Sequence, residues 1–404
     1  MSRIPASPPR FGAQVRIHGL MTEIARRADI TAVAPVDSEF DINECRRAMG
    51  DYCEDVVLVP NPRGDDGRAK RLLQLRSMAT PHSYERLRHH NPPLRDALAS
   101  LIGERSFDVI DLEFPDLAHY LPARRPPLIL DTHEIAHDLA HQMARGDVGL
   151  DRRVYASLNW RKVRREELAA FRAADGICAC SATDERRILA EVPTARTRVI
   201  PNAADTEFYR SRPTDPAPDG RTILFFALLS TFPNHDGVLF LLREIWPRIA
   251  AARPDARLKI VGSHPPAEVL AQAGPRIEVT GFVEDLRPHI ASAAVSVVPL
   301  RIGGGTRLKV VESLAMSKAI VSTRIGAEGI ELKPGEEILL EDDAEAFADA
   351  VIRLLDDPAL AARMGAAGRR RAEETYSWAA AASTLDGFFH ELLWSRAGVP
   401  AGVS

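Results

Sequence analysis

PLRIGGGTRLKVVESLAMSKAIVSTRIGAEGI, residues 299–330, decides the reading of this chain. Val295-Ser296-Val297-Val298 before it is a β-branched run, which reads as a short strand ending at Pro299. Gly303, Gly304 and Gly305 with Thr306 then form a loop, followed by an apolar-periodic helix holding Arg307, Lys309 and Glu312. Glycines leave backbone N–H groups open to an anion, and a helix start adds the positive end of its dipole. Arg307 and Lys309 bring full charges, so the combination asks for phosphate. Glu312 lies beyond the loop, where a carboxylate takes ligand hydroxyls. Phosphates and hydroxyls in one ligand describe a nucleotide sugar.

Outward from this stretch the same alternation of strand and helix continues. Residues 222–226, 258–261, 277–280, 319–322 and 337–340 read as strands, with a helix over 237–252. Before them, residues 30–34, 56–59, 107–111, 128–131, 176–180 and 198–200 read as strands, with helices over 15–27, 94–104 and 160–173. Alternating β and α implies parallel sheets covered by helices. Residues 211–220, SRPTDPAPDG, are polar and proline-rich, which reads as an exposed linker. The expected class is therefore α/β, with two doubly wound, Rossmann-like domains facing a central cleft. The first domain covers 1–205, the linker 206–220 and the second domain 221–376. A closing amphipathic helix and tail, 377–404, packs toward the first domain. One feature breaks the pattern: the loop-like Pro8-Pro-Arg-Phe-Gly12 arrives with no apolar strand ahead of it, so the first strand reads as missing or replaced. A start assigned too far downstream and a damaged, inactive domain both account for that.

The 404 residues are 45% hydrophobic and 27% charged, ordinary for a globular protein of two or three domains. A net charge of −4 argues against wholesale nucleic-acid binding. Cys45, Cys53, Cys178 and Cys180 are too few for a disulfide framework and lack metal-ligand spacing, so reduced thiols are expected. The first residues carry no apolar leader and no apolar run is long enough to span a bilayer, so a cytoplasmic protein is expected.

Several motifs resemble the retaining, nucleotide-sugar-dependent glycosyltransferases of the GT-B fold, family 4 (glycosyltransferase group 1). Val199-Ile-Pro-Asn-Ala-Ala-Asp205 resembles a motif at the domain junction, and 175–181 the segment before it. Ile260-Val-Gly262, Thr280-Gly-Phe-Val283 and 299–330 resemble donor-side elements. Phe232-Pro-Asn234 with Ile245-Trp-Pro247 is similar to members from bacterial exopolysaccharide and cell-envelope clusters. The resemblance implies that Glu312 accepts the ribose hydroxyls. The first glutamate of the family's Glu-x7-Glu pattern would fall at Gly304, which is a departure. The resemblance also implies an Arg and a Lys after the first strand of the second domain. Neither is present in 226–234, and Arg307 and Lys309 are the substitutes for that diphosphate grip. The resemblance implies that Gly281, Phe282 and Glu328 fall in loops near the donor, against the alternative that Glu328 is a solvated loop carboxylate.

The resemblance implies that His133, after a strand of the first domain, contacts sugar, against the alternative of a surface or capping residue. Gly12 and Arg16 either line the cleft or merely open a surface helix. His137 and His141 do not form a metalloprotease motif and read as a polar helix face. No Asp-x-Asp occurs, so no metal or other cofactor is expected. The basic, leucine-bearing segment 68–76, RAKRLLQLR, is either a solvated helix or a peripheral contact with the inner membrane face. The expected partners are a nucleotide sugar and a glycan or lipid-linked acceptor. The function implied is glycosyl transfer with retention; an epimerase of the same fold and an inactive scaffold are the alternatives.

Overall fold

The computed structural model describes residues 1–61, 67–145, 150–303 and 305–396, so the expectation for Gly304 lies outside the described residues. The chain divides into two compact units. One runs from Met1 to Pro201 and includes the chain from Ala379 on; the other is Asn202–Trp378.

The first unit contains β1 (Thr31–Val36), β2 (Asp55–Pro60), β3 (Ile110–Glu113), β4 (Leu128–Thr132), β5 (Gly176–Ala179) and β6 (Thr197–Val199). β1 and β2 pair in parallel, and β3-β4-β5-β6 form a second parallel sheet. Both faces are covered, so the strands read as continuous apolar runs. Leu112, Leu130 and Ile177 stand in register across β3, β4 and β5 within a buried cluster.

The first strand is not simply missing. Met1 and Ser2 lie in its place: the Ser2 N–H donates to Val33 O of β1 at 3.0 Å, and the Glu113 N–H of β3 donates to Met1 O at 2.8 Å. The Met1 ammonium donates to Asp111 O at 2.7 Å. These bonds tie the two sheets together through a stub of strand. Beside it lies an apolar cavity of about 190 Å³, walled by Ile17, Leu20, Leu98, Ile110 and Leu385. The closing helix, Trp378–Arg396, holds Arg198 through Glu391 at 2.6 Å and Arg27 through Asp386 at 3.3 Å.

The second unit contains β7 (Thr222–Phe226), β8 (Arg257–Val261), β9 (Ile277–Val279), β10 (Val295–Val298), β11 (Ala319–Ser322) and β12 (Leu339–Leu340). They form one parallel sheet in the order β12-β11-β10-β7-β8-β9. Ile223, Phe225, Val295 and Val297 bury one face, while Leu224, Val298 and Ile320 bury the other. The helix expected at 237–252 begins earlier, at Phe232, and widens into a π-turn over Leu241–Ile245 before Trp246–Ala252. Pro247 explains the widening, because its ring displaces the carbonyl four residues back and it has no N–H to donate. Asp343 and Asp357 cap Ala344–Asp356 and Pro358–Thr375.

Candidate functional site

In the second unit β7 and β10 are neighbours, although β8 and β9 come between them in sequence. The strand order reverses there, and open α/β sheets bind ligands beyond the carboxyl ends of the strands at such a point. The loop after β10 carries the glycines. Gly305 has φ 65°, the left-handed region that glycine enters without steric cost. A Cβ on Gly303 would meet the Arg307 guanidinium, so any other residue there would have to push that side chain aside. Arg307 is 9% exposed, donates to the Gly305 carbonyl and reaches Ile325 O at 3.5 Å. It thus braces the glycine loop against the turn after β11. Asn202 adds a second brace, donating from Nδ2 to Thr306 O at 2.9 Å. The Thr306 hydroxyl is buried without a hydrogen-bond partner.

Lys309 lies on the first turn of Leu308–Ala315. Its Nζ donates to Asn234 Oδ1 at 2.7 Å and stands 5.1 Å from the centre of the Phe225 ring. Asn234 lies in the first turn of the helix that follows β7, so this bond joins the helices that follow β7 and β10 across the reversal point. Burial, then the neighbouring Arg307 charge, lower the Lys309 pKa to about 7. Glu312, one turn further on, is buried and accepts from the Tyr209 hydroxyl at 3.0 Å. Burial raises its pKa, and the Tyr209 bond opposes that rise. Tyr209 falls in the 206–220 linker, ahead of its proline-rich 211–220 stretch; residues 206–220 hold no helix or strand, and this side chain turns inward.

Gly281 and Phe282 follow β9, three strand positions from β10. Gly281 has φ 74° and accepts from the Gly262 N–H at 3.0 Å, while Phe282 is solvent-exposed. Glu328 is half-buried in the turn after β11. These residues share the carboxyl edge but not the immediate surroundings of Lys309.

The first unit gathers a second cluster. Glu113 ends β3 and pairs in register with Asp131 of β4, two residues before His133. Gly12 and Arg16 belong to the first helix: Gly12 is the first of Gly12–Ile24, and Arg16 sits in its second turn. Arg16 is 1% exposed and forks onto Asp131, with Nη2 at 3.0 and 2.9 Å from the two carboxylate oxygens. Burial works against its charge, but Asp131 outweighs that and raises the pKa. His133 Nε2 lies 2.6 Å from Glu113 Oε2. The His133 ring stacks on Phe114, centroids 4.1 Å apart at 19°, and the Arg3 guanidinium packs 3.8 Å from the same Phe114 ring. Burial, then Asp131, push the Glu113 pKa up to about 8, and burial lowers that of His133 to about 3. The ligating atoms of Glu113, Asp131 and His133 all lie within 4.8 Å of one another. Asp131 is spent on Arg16 and Glu113 on His133, so the trio forms a hydrogen-bond cluster beside an ion pair rather than an open cation cage.

His137 is not on an exposed polar face. It is buried, its Nδ1 2.5 Å from Glu167, which also accepts from the backbone N–H groups of Ala136 and His137. His141 packs on Trp160 at 4.9 Å. Both histidines are thereby engaged in packing the helix Ala136–Arg145. All four cysteines are free and buried.

Sequence reasoning missed Glu113, Asp131, Asn234 and Tyr209 as site members. Asn234 carried a signal, the Phe-Pro-Asn motif, without a partner to explain it.

Solved structures with this architecture cover nearly the whole chain. Sucrose-phosphate synthase from Thermosynechococcus elongatus is 19% identical with a TM-score of 0.73, covering 98% of this chain and 99% of its own. Anabaena HepE in complex with UDP and glucose is 14% identical with a TM-score of 0.65, covering 96% and 98%. The fold is GT-B. Residues 12–208 match the family described as Glycosyltransferase Family 4, and residues 220–357 match Glycosyl transferases group 1, which places the chain among the group 1, family 4 glycosyltransferases. A GDP-mannose-dependent monoacylated α-(1-6)-phosphatidylinositol monomannoside mannosyltransferase of Corynebacterium glutamicum is 30% identical over 150 residues, 34% of this chain and 39% of that protein. A GDP-mannose-dependent α-(1-6)-phosphatidylinositol monomannoside mannosyltransferase of Mycolicibacterium smegmatis is 28% identical over 212 residues, 46% and 54%. The matches thus span about four to five tenths of the length of these curated relatives.

Proposed function

We propose that this protein transfers a hexose from a nucleotide-sugar donor to a glycan, lipid-linked or small-molecule acceptor, with retention of configuration. The setting is polysaccharide or cell-envelope glycan synthesis. One observation carries the reading: the Lys309–Asn234 bond puts a half-buried ammonium at the strand-order reversal, beside the glycine loop and one turn from Glu312. An ammonium there offsets a diphosphate leaving group, and preorganised charge of this kind is usually the largest catalytic contribution. Arg307 keeps the loop amides in place, the open Thr306 hydroxyl offers a further hydrogen bond, and Glu312 takes the ribose hydroxyls. Gly281, Phe282 and Glu328 border the donor at the same edge. The cationic groups make a metal unnecessary, and EDTA should leave turnover unchanged. The first unit takes the acceptor, with His133 meeting sugar.

Thermal-shift titration with UDP-, GDP- and ADP-sugars tests the donor class, since a ligand that binds the folded state raises its stability by mass action. No shift with any of them removes the reading. NMR of the product anomer tests retention, and NMR of the donor incubated alone separates transfer from epimerisation.

Peripheral membrane contact is part of this proposal. Among the described residues no helix is long and apolar enough to cross a membrane. Leu72, Leu75 and Met78 of Gly67–Ala79 are exposed, as are Val154 and Leu158 of Leu150–Ala173. Lys162 joins the two helices by donating to Ser77 O, and exposed Lys70, Arg71, Arg76, Arg161 and Arg165 flank the leucines. Apolar side chains among cations suit an anionic bilayer surface. Flotation with anionic liposomes should carry the protein upward; protein left wholly in the soluble fraction removes this part.

A further inference from the structure

The geometry points to Glu113 as a positioning residue: its carboxyl donates to His133 Nε2 and fixes the imidazole with Nδ1–H turned toward a hydroxyl-bearing ligand. This deepens the reading of His133 as a sugar contact and rests on it.

Glu113 is set by β3, where its N–H donates to Met1 O at 2.8 Å and its register faces Asp131. His133 is set by three constraints: the strand end of β4, the stack on Phe114, and the 2.6 Å bond from Nε2 to Glu113. Phe114 holds φ 82°, a conformation that costs a non-glycine residue of order 1–3 kcal/mol and persists only where surroundings enforce it. Its N–H donates to Asp131 O at 3.2 Å, which keeps the ring in place under the imidazole. The strain is thus spent on orienting one histidine.

Proton placement follows from the neighbours. Glu113 faces Asp131 and Asp111 as well as Arg16 and the Met1 ammonium, and Arg16 is already engaged by Asp131. Arg3 faces His133 across Phe114, and the thiols of Cys178 and Cys180 lie behind the cluster. A buried carboxyl beside further carboxylates keeps its proton. A neutral imidazole carries one N–H; with Nε2 accepting from Glu113, that hydrogen is on Nδ1. Above about pH 8 Glu113 ionises, its carboxylate becomes an acceptor, and the imidazole hydrogen moves to Nε2. Nδ1 then changes from donor to acceptor, and a ligand hydroxyl loses the bond it was offered.

The test is 15N NMR of histidine-labelled protein across pH, with His133 assigned by His133→Gln. Wild type should show the Nδ1–H tautomer at pH 7 and convert to Nε2–H through pH 8. Glu113→Gln keeps a donor without a titrating proton, so it should show Nδ1–H throughout. Glu113→Leu should revert to the Nε2–H form that free imidazole side chains prefer. Thermal unfolding of each variant establishes that it is folded. An Nε2–H signal in wild type at pH 7, or a titration in Glu113→Gln matching wild type, overturns the assignment. These spectra need no substrate, so their failure is distinct from failure of the transferase reading. In turnover, wild-type kcat/KM should fall more steeply above pH 8 than that of Glu113→Gln, which keeps only the decline due to Lys309.

Discussion

The two units solve different electrostatic problems with the same kind of sheet edge. At the carboxyl edge of β7 and β10, Lys309 meets an amide oxygen, and no carboxylate lies within ion-pair distance of it among the described residues. At the edge of β3 and β4, Arg16 is fully matched by Asp131, and the remaining pair, Glu113 and His133, shares a hydrogen bond without net charge. The first arrangement waits for an anion. The second has spent its cation on architecture and offers only hydrogen bonds, which suits an uncharged hydroxyl. The lesson is that a cation withdrawn from solvent marks a ligand site only where its counter-charge is absent.

The sharpest way to break this contrast is to unpair the architectural cation. Asp131→Ala leaves Arg16 buried and uncompensated, which should cost about 3–5 kcal/mol in chemical denaturation. A loss under about 1 kcal/mol would make Arg16 available to ligands and erase the distinction. Next in size, replacing Arg307 and Lys309 together by Ala should weaken donor binding on the order of 100-fold, about 2.7 kcal/mol by calorimetry. Unchanged affinity sinks the anion assignment, while the same double variant should leave the first unit's unfolding in place.

A pH series sharpens the picture further. Donor phosphate raises the Lys309 pKa from its free value of about 7, so the stabilising charge is fully present below pH 7. Donor affinity should therefore be greatest there and decline as pH rises, by about tenfold per unit at most. Affinity that climbs between pH 7 and 9 contradicts a cationic site. Smallest is Tyr209→Phe, which removes the donor to Glu312 and should lower stability by about 1 kcal/mol. An unaltered melting temperature would show that Glu312 finds water instead.

Much of this architecture was legible in the chain because buried parallel strands are short apolar runs between polar punctuation. Residues 222–226, 295–298 and 319–322 were read with the bounds that the structure gives them. The sites were half legible. Lys309, Glu312 and His133 stood out because a local motif carried them. Glu113 did not, since the β3 run was placed at 107–111 and Glu113 fell just outside it, whereas the strand is Ile110–Glu113. Arg16 and Asp131 are 115 positions apart, and Tyr209 and Glu312 are 103. Such pairs exist only after the chain has folded, and no periodicity announces them. Tyr209 lies just ahead of the proline-rich 211–220 stretch, and composition carries no sign that this one side chain turns inward.

The stub of strand at Met1 has a practical consequence for anyone handling this protein. Its amino group lies inside the sheet, flanked by β1 and β3, and the apolar cavity opens directly behind it. A peptide fused ahead of Met1 and keeping the parallel direction would run alongside Thr31 and Val109, which line that cavity. Its composition would then decide whether the sheet gains a strand or is pried apart. A valine-rich leader and a glycine-serine affinity tag are, at this end of the molecule, opposite perturbations.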